Sequence, residues 1–214
     1  MSLLTKNSIL SERNRGLCFF ERFDSPDDVL KNGATIGGSP IFSRNKATFN
    51  GTTDYISYKM GNNAIRGSNA FSTIIRTKPT RLNGAYQSFA YLGAQAINKG
   101  FLFGISNGNQ MYIELYGSVV KIFGAPDLVS TYEMAMTFAG GAAVAPRCFM
   151  NGQFISVGTA ITPNIEVPDI WVGAGTAAPA YPFQGDVYSI RVFNQALSDE
   201  EVASYYNNSM FLYR

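Results

Sequence analysis

The stretch Tyr181-Pro-Phe-Gln-Gly-Asp-Val-Tyr-Ser-Ile-Arg-Val-Phe-Asn-Gln-Ala-Leu-Ser-Asp-Glu-Glu-Val-Ala-Ser-Tyr-Tyr206 spells a strand that runs directly into a capped helix. Gly185 supplies a turn, and from Asp186 to Phe193 the side chains alternate, with Tyr188, Ile190 and Val192 on one face and Ser189 and Arg191 on the other. The segment is therefore read as one half-buried strand. Ser198 and Glu201 have the spacing of a capping box, Leu197 and Val202 that of a hydrophobic staple, and Asp199 to Glu201 place negative charge at the positive end of the helix dipole. A short helix is predicted to begin at Asp199.

Upstream, from Leu17 onward, the chain reads as short strands punctuated by turns, with Asn-Gly pairs at Asn50, Asn83, Asn107 and Asn151. The clearest hairpin is Arg147-Cys-Phe-Met-Asn-Gly-Gln-Phe-Ile-Ser156, where Asn151-Gly152 suits a two-residue loop with positive φ at both positions. Gly100 to Ser106 pairs in this reading with Gln110 to Tyr116, followed by Ser118 to Phe123, and the period-two pattern leaves Glu114 facing solvent or a satisfying partner. Further strands fit Phe71 to Thr77, Ser88 to Leu92, Met134 to Phe138 and Ile170 to Gly173, and most prolines, Pro79 among them, are assigned to gaps between strands. So many short strands with hardly any helix predict an all-β, two-sheet antiparallel sandwich of one domain over residues 17–214. Residues 1–16, polar and lightly basic with Lys6, Arg13 and Arg15, show neither helical nor strand periodicity and are read as an N-terminal arm.

The wording of the opening stretch adds a resemblance. Phe183-x-Gly-Asp-x-x-x-Ile-Arg-Val-Phe-Asn-x-Ala-Leu-Ser-x-x-Glu201 resembles the closing signature of laminin-G-like domains in the concanavalin A-like lectin and glucanase superfamily. Ala47-Thr-Phe-Asn-Gly-Thr-Thr-Asp-Tyr-Ile56 and Asn69-Ala-Phe-Ser-Thr-Ile-Ile-Arg-Thr-Lys-Pro79 are similar to that family's first strands, and Tyr132 to Gly141 followed by Phe149-Met-Asn-Gly-Gln153 is a weaker match. The likeness spans roughly residues 17 to 210 and implies a concanavalin A-like jelly roll.

Composition excludes several functions. Lys and Arg number 17 against 15 Asp and Glu, without long runs of like charge, so nothing marks a nucleic-acid footprint. The apolar runs are too short for a membrane span, and the first ten residues lack the apolar core of a secretory signal, which leads to the expectation of a chain made in the cytoplasm. Without any His, Ser-His-Asp, Cys-His and His-based zinc chemistry are absent. Cys18 and Cys148 lie in apolar strand contexts and are expected to be buried free thiols.

Glucanases of the superfamily carry acidic residues alternating on one strand, because a retaining mechanism needs two carboxyl groups about 5 Å apart. No such pattern occurs here, Asp27-Asp28 reading as a solvated turn and Glu200-Glu201 as a helix N-terminus, and the chain is expected not to be an enzyme. The resemblance also implies that calcium could be held at the sandwich rim, with Asp186 at the family's acidic position after Phe-x-Gly and Asp24 as an early ligand, the alternative being that both are structural. Of the aromatic residues, Phe19, Phe71, Phe103, Phe138, Phe149, Tyr188 and Trp171 are assigned to the core, leaving Tyr86, Tyr132 and Tyr181, in or beside loops, as candidates to stack on a ligand. The expected role is a non-catalytic structural or recognition subunit of a larger assembly, such as a virion surface or decoration protein, docked on protein partners through the arm. A glycan-binding module, with or without calcium, is the alternative, and a glycoside-processing enzyme a more remote one.

Overall fold

The computed structural model describes residues 16–59, 65–165, 169–175 and 180–212, the side chains of the last three residues excepted. In chain order the elements begin with β1 (Leu17–Arg22), α1 (Pro26–Lys31), β2 (Ala34–Gly37), β3 (Ile41–Ser43), β4 (Lys46–Asn50), β5 (Tyr55–Lys59), β6 (Phe71–Pro79), β7 (Gln87–Gly93) and β8 (Gly100–Ile105). They continue with β9 (Met111–Leu115), β10 (Ser118–Ile122), β11 (Tyr132–Phe138), β12 (Arg147–Met150), β13 (Gln153–Val157), β14 (Asp169–Val172), β15 (Gln184–Phe193) and α2 (Asp199–Leu212).

Two antiparallel sheets form a sandwich of the concanavalin A-like kind. One sheet, of eight strands, runs β13-β12-β11-β6-β15-β4-β3, with β1 pairing on β15 beyond the end of β4. The other, of seven strands, runs β10-β9-β8-β7-β14-β5-β2. Period-two alternation sends Phe71, Ile75, Met134, Met136, Phe138, Ile190 and Val192 from the first sheet and Phe89, Phe101, Phe103, Ile113, Ile170 and Val172 from the second into one shared interior. Each such aromatic or aliphatic side chain removed from water contributes roughly 1.5–3 kcal/mol, which is why the alternation fixes the register of both sheets.

The outer face of the eight-stranded sheet is covered as well. Helix α2 lies on it and packs Leu197, Val202 and Tyr205 against Ile74, Ala135, Phe149 and Phe193. Its start follows the sequence reading: Ser198 N donates to Glu201 Oε2 (2.9 Å), Glu201 N donates to Ser198 Oγ (3.2 Å), and Leu197 and Val202 share one apolar cluster. Arg147 grips Asp199 through two hydrogen bonds of 2.9 and 2.5 Å, and under the helix Arg76 Nη1 donates to Ser209 Oγ (3.0 Å), which donates to Glu133 Oε2 (2.9 Å). Arg191 lies over the ring of Phe20, 4.6 Å from its centroid.

Several expectations change. A register shift between Val187 and Ser189 reverses the alternation in β15, so Val187 faces the core while Tyr188 is half-buried outside it. Ser189 and Arg191, read as the outer side of a half-buried strand, are buried on the face opposite the core. Trp171 also leaves the core: its neighbours Ile170 and Val172 point inward and it stands half-buried on the outer face of the seven-stranded sheet, while Phe149 belongs to the cluster beneath α2. Pro79 ends β6 opposite Gly185 rather than lying in a gap, and Asp27-Asp28 sits in the first turn of α1, where Ser25 Oγ accepts from Asp28 N (3.2 Å). Cys148 is buried, but Cys18 is only half-buried, its thiol donating to Val192 O (3.2 Å). The expected arm, apart from Gly16, lies outside the described residues.

Candidate functional site

The outer face of the seven-stranded sheet carries an aromatic row. Register places Leu102 opposite both Glu114 and Tyr91, Tyr91 opposite Trp171, and Trp171 opposite Ser57, so these residues line up across β9, β8, β7, β14 and β5. With strands ~4.8 Å apart, Trp171 and Glu114 stand about 14 Å from each other, with Tyr91 and Leu102 buried between them. Tyr55 closes one end against Trp171, their ring centroids 5.5 Å apart. Two glycines make the close packing here feasible: a Cβ on Gly37 would collide with the Tyr55 ring, and one on Gly100 would fall 2.5 Å from the Tyr91 hydroxyl.

At the other end, Tyr112, Glu114 and Tyr116 follow the period-two pattern of β9, and two loops bring Tyr86 and Tyr181 onto them. The Tyr86 ring lies 5.8 Å from Tyr112 and 6.0 Å from Tyr181. Tyr181 takes φ +59, a left-handed conformation that a bulky side chain adopts only where its surroundings impose it. Those surroundings are Tyr181 O accepting from Ser88 N (2.8 Å), Gly175 N donating to Ala180 O (2.6 Å) and Phe183 N donating to Gly173 O (2.9 Å), which together pin the loop to β7 and β14. Tyr91 and Tyr112 are fully buried under this cover, whereas Tyr86 is 40% exposed and Glu114, Tyr116 and Tyr181 are half-buried.

The chemistry of the cluster is that of protonated phenols around one carboxylate. Burial, reinforced by Tyr116, Glu114 and Tyr181 beside Tyr91 and by Glu114, Tyr86 and Tyr181 beside Tyr112, pushes both hydroxyls well above the usual phenol range. Burial raises Tyr181 in the same direction. Tyr91 donates to Ala94 O (2.9 Å), but the Tyr112 hydroxyl and Ser88 Oγ are buried without hydrogen-bond partners among the described residues, and so is Gln95 Nε2. Such groups cost stability unless something supplies their missing bonds. Glu114 accepts from Gly117 N (3.1 Å) and forms no ion pair among the described residues.

Of the three candidate rings, Tyr86 and Tyr181 thus meet, while Tyr132 lies at the start of β11 in the other sheet, its hydroxyl accepting from Asp127 N (2.8 Å). Tyr55, Tyr112 and Tyr116 carry no role in the sequence reading, although the alternation of Met111 to Tyr116 puts Tyr112 and Tyr116 on one face with Glu114. A small cavity between the sheets, lined by Ile65, Leu92, Phe101, Ile165, Ile170 and Val192, is apolar and offers nothing to orient a polar ligand.

The calcium candidates do not form a cation site with the residues present. Both carboxylate oxygens of Asp186 are used, one by Thr48 Oγ1 (2.6 Å) and the other by Lys46 Nζ (2.8 Å), whose ammonium stands where a metal would need to be. Asp24 Oδ2 accepts from Arg22 Nε (2.6 Å), which leaves Oδ1 as its one buried oxygen without a partner, against the six to eight oxygens calcium takes. Among the described residues no group of three or more acidic or thiol side chains gathers elsewhere.

Comparison with known proteins follows the architecture. The sequence model of the concanavalin A-like lectin/glucanases superfamily, of laminin G type, matches residues 50–203. No curated protein matches the sequence. Among solved structures, Trypanosoma rangeli sialidase in complex with sialic acid superposes with a TM-score of 0.68 at 13% identity over 92% of this chain, which spans only 33% of the sialidase. Domain 4 of AbnA, an extracellular arabinanase from Geobacillus stearothermophilus in complex with arabinotriose, superposes with a TM-score of 0.61 at 18% identity, covering 88% of this chain and 97% of the domain. At these identities the likeness is one of fold.

Proposed function

The chain belongs to the concanavalin A-like lectin/glucanase superfamily, and on that premise we propose that it is a non-catalytic carbohydrate-recognition domain which takes an oligosaccharide along the outer face of its seven-stranded sheet. The observation that carries this reading is the aromatic row from Tyr55 and Trp171 to Tyr86 and Tyr181, with the Glu114 carboxylate beside it. Aromatic faces stack on the C–H faces of sugars, and phenol, hydroxyl and amide groups held in a polar margin orient sugar hydroxyls. The arabinotriose complex of domain 4 of AbnA, which has nearly the same extent as this chain, is consistent with that use of the fold.

A non-catalytic role is supported by the charges. Glycoside hydrolysis in most families needs two carboxyl groups flanking the bond, and among the described residues Glu114 is the one carboxylate acting on the tyrosine cluster. The tyrosines themselves are held protonated and are poor nucleophiles. Calorimetric titration against a panel of plant, microbial and animal oligosaccharides tests the proposal: saturable binding without turnover supports it, and absence of binding across the panel, or release of reducing ends, counts against it.

A second reading, that the domain is a structural or recognition subunit of a larger assembly such as a virion surface, is favoured by one edge of the sandwich. Strands β10 and β13 end their respective sheets side by side, joined by Thr159 N donating to Val120 O (2.9 Å), and expose Val119, Ile122, Ile155 and Val157. Exposed apolar edge strands are ready templates for pairing with another protein chain. On this reading Ile155→Lys abolishes association with a partner subunit and leaves sugar binding intact; assembly that survives the substitution argues against it.

A further inference from the structure

We infer that Glu114 and the tyrosines around it form a binding site for an organic ammonium group, in the simplest case the free amine of an amino sugar. This rests on, and narrows, the carbohydrate reading above. Along β9 the alternation sets Tyr112, Glu114 and Tyr116 on one face, and Tyr91, Tyr86 and Tyr181 close around them from β7 and two loops. Among the described residues, the charged and titratable groups that act on Tyr91, Tyr112 and Tyr181 are Glu114, Tyr86, Tyr116 and Tyr181, with no lysine or arginine among them. Each ring presents a negative π face, and the one formal charge is negative too, so the field of the cluster selects a cation and opposes a carboxylated sugar.

Geometry adds a second, independent pointer. Tyr112 is 1% exposed and its hydroxyl has no hydrogen-bond partner among the described residues, although the Glu114 carboxylate lies near it. Glu114 is held in place by Gly117 N through Oε1, and it remains half-buried and without an ion pair among the described residues. An ammonium brought to the open side of the carboxylate would donate to it while resting on the faces of Tyr86 and Tyr181. Two kinds of contact, a charge-assisted hydrogen bond and a cation–π contact, are then made at once. Acetylation of the amine would remove the charge on which both depend.

The test is calorimetry of the intact chain with a glucosamine tetramer, its fully N-acetylated counterpart and choline. The expected result is that the glucosamine tetramer binds roughly tenfold or more tightly than the acetylated one, and that Glu114→Gln, which keeps the bond from Gly117 N, removes this preference. Equal affinity for the two tetramers, or a preference unchanged by Glu114→Gln in a variant with unaltered thermal unfolding, overturns the inference. If acetylated or other neutral sugars bind while the amine confers no advantage, the ammonium site fails and the carbohydrate reading stands. If choline binds through Glu114 and no sugar does, the ammonium site stands and the carbohydrate reading fails. Absence of binding by all three probes overturns the ammonium site.

Discussion

Tyr86 and Tyr181 hold their rings edge to face, centroids 6.0 Å apart and planes at 69°, although one precedes β7 and the other precedes β15. The pair is assembled by the fold and held at a backbone cost, since Tyr181 keeps φ +59. Replacing either ring with alanine is expected to weaken oligosaccharide binding by about tenfold, or ~1.4 kcal/mol, as befits the loss of one stacking platform. Tyr132→Ala, on the opposite sheet, is the control and should leave affinity unchanged; calorimetry of the three variants checks this.

The Asn151-Gly152 turn is tied to the helix that covers the sheet beside it. Both residues have positive φ, +52 and +74, and a Cβ on Gly152 would fall 2.7 Å from Tyr206 Cβ on α2. Gly152→Ala combines an unfavourable backbone with a clash against a packed helix and is expected to cost about 1–3 kcal/mol, seen as a lower Tm. Removing the helix cap with Ser198→Ala should cost less, about 1 kcal/mol.

Two buried carboxyls set a pH dependence opposite to ordinary acid denaturation. Burial raises Glu21 above its ordinary value of 4.5 despite hydrogen bonds from Asn32, Tyr58 and Arg22 N, and burial raises Glu133 despite Arg191, Ser209 and Arg76. Above pH 4.5 the unfolded chain has released these protons while the folded one retains them, so their contribution to stability is fullest below that value and is lost as pH rises through the folded pKa. Denaturant unfolding should show wild type losing stability relative to Glu21→Gln between pH 4.5 and neutrality. Wild type gaining stability relative to Glu21→Gln as pH rises contradicts the assignment.

The thiols of Cys18 and Cys148 are pushed up to about 11 by burial and hold little thiolate at neutral pH. Alkylation by iodoacetamide is expected to be slow in the native protein, with Cys148 the slower because it is fully buried, and fast in denaturant. Mass spectrometry of timed samples reads both sites.

The parts of the fold that were legible in sequence are those where a local rule acts alone. The Ser198 to Glu201 cap and the Asn151-Gly152 hairpin depend on neighbours a few residues apart and appear as expected. What alternation could not reveal is where the pleat breaks: the register shift at Val187 and Ser189 moves Tyr188 off the core face. Nor does a polar pattern reveal a second cover, which is how Ser189 and Arg191 come to be buried on the side away from the core. Trp171 lies away from its expected place in the core for a related reason, since size and apolarity suit an interior and an outward aromatic row equally well. For the candidate site, Tyr86 and Tyr181 were legible as loop aromatics, but their meeting with Tyr112 and Glu114 depends on pairing between distant strands, and Asp24 and Asp186 prove to face cations of the chain's own.

Trp171, the one tryptophan of the chain, stands beside Tyr55 at one end of the aromatic row and reports on it. The most direct measurement of the central claim is a fluorescence titration of the wild type with an oligosaccharide that calorimetry shows to bind. A saturable change in Trp171 emission, with the calorimetric Kd and lost on Tyr86→Ala or Tyr181→Ala, is the predicted result. Binding that leaves Trp171 emission untouched and survives both substitutions would place the sugar elsewhere and contradict the account.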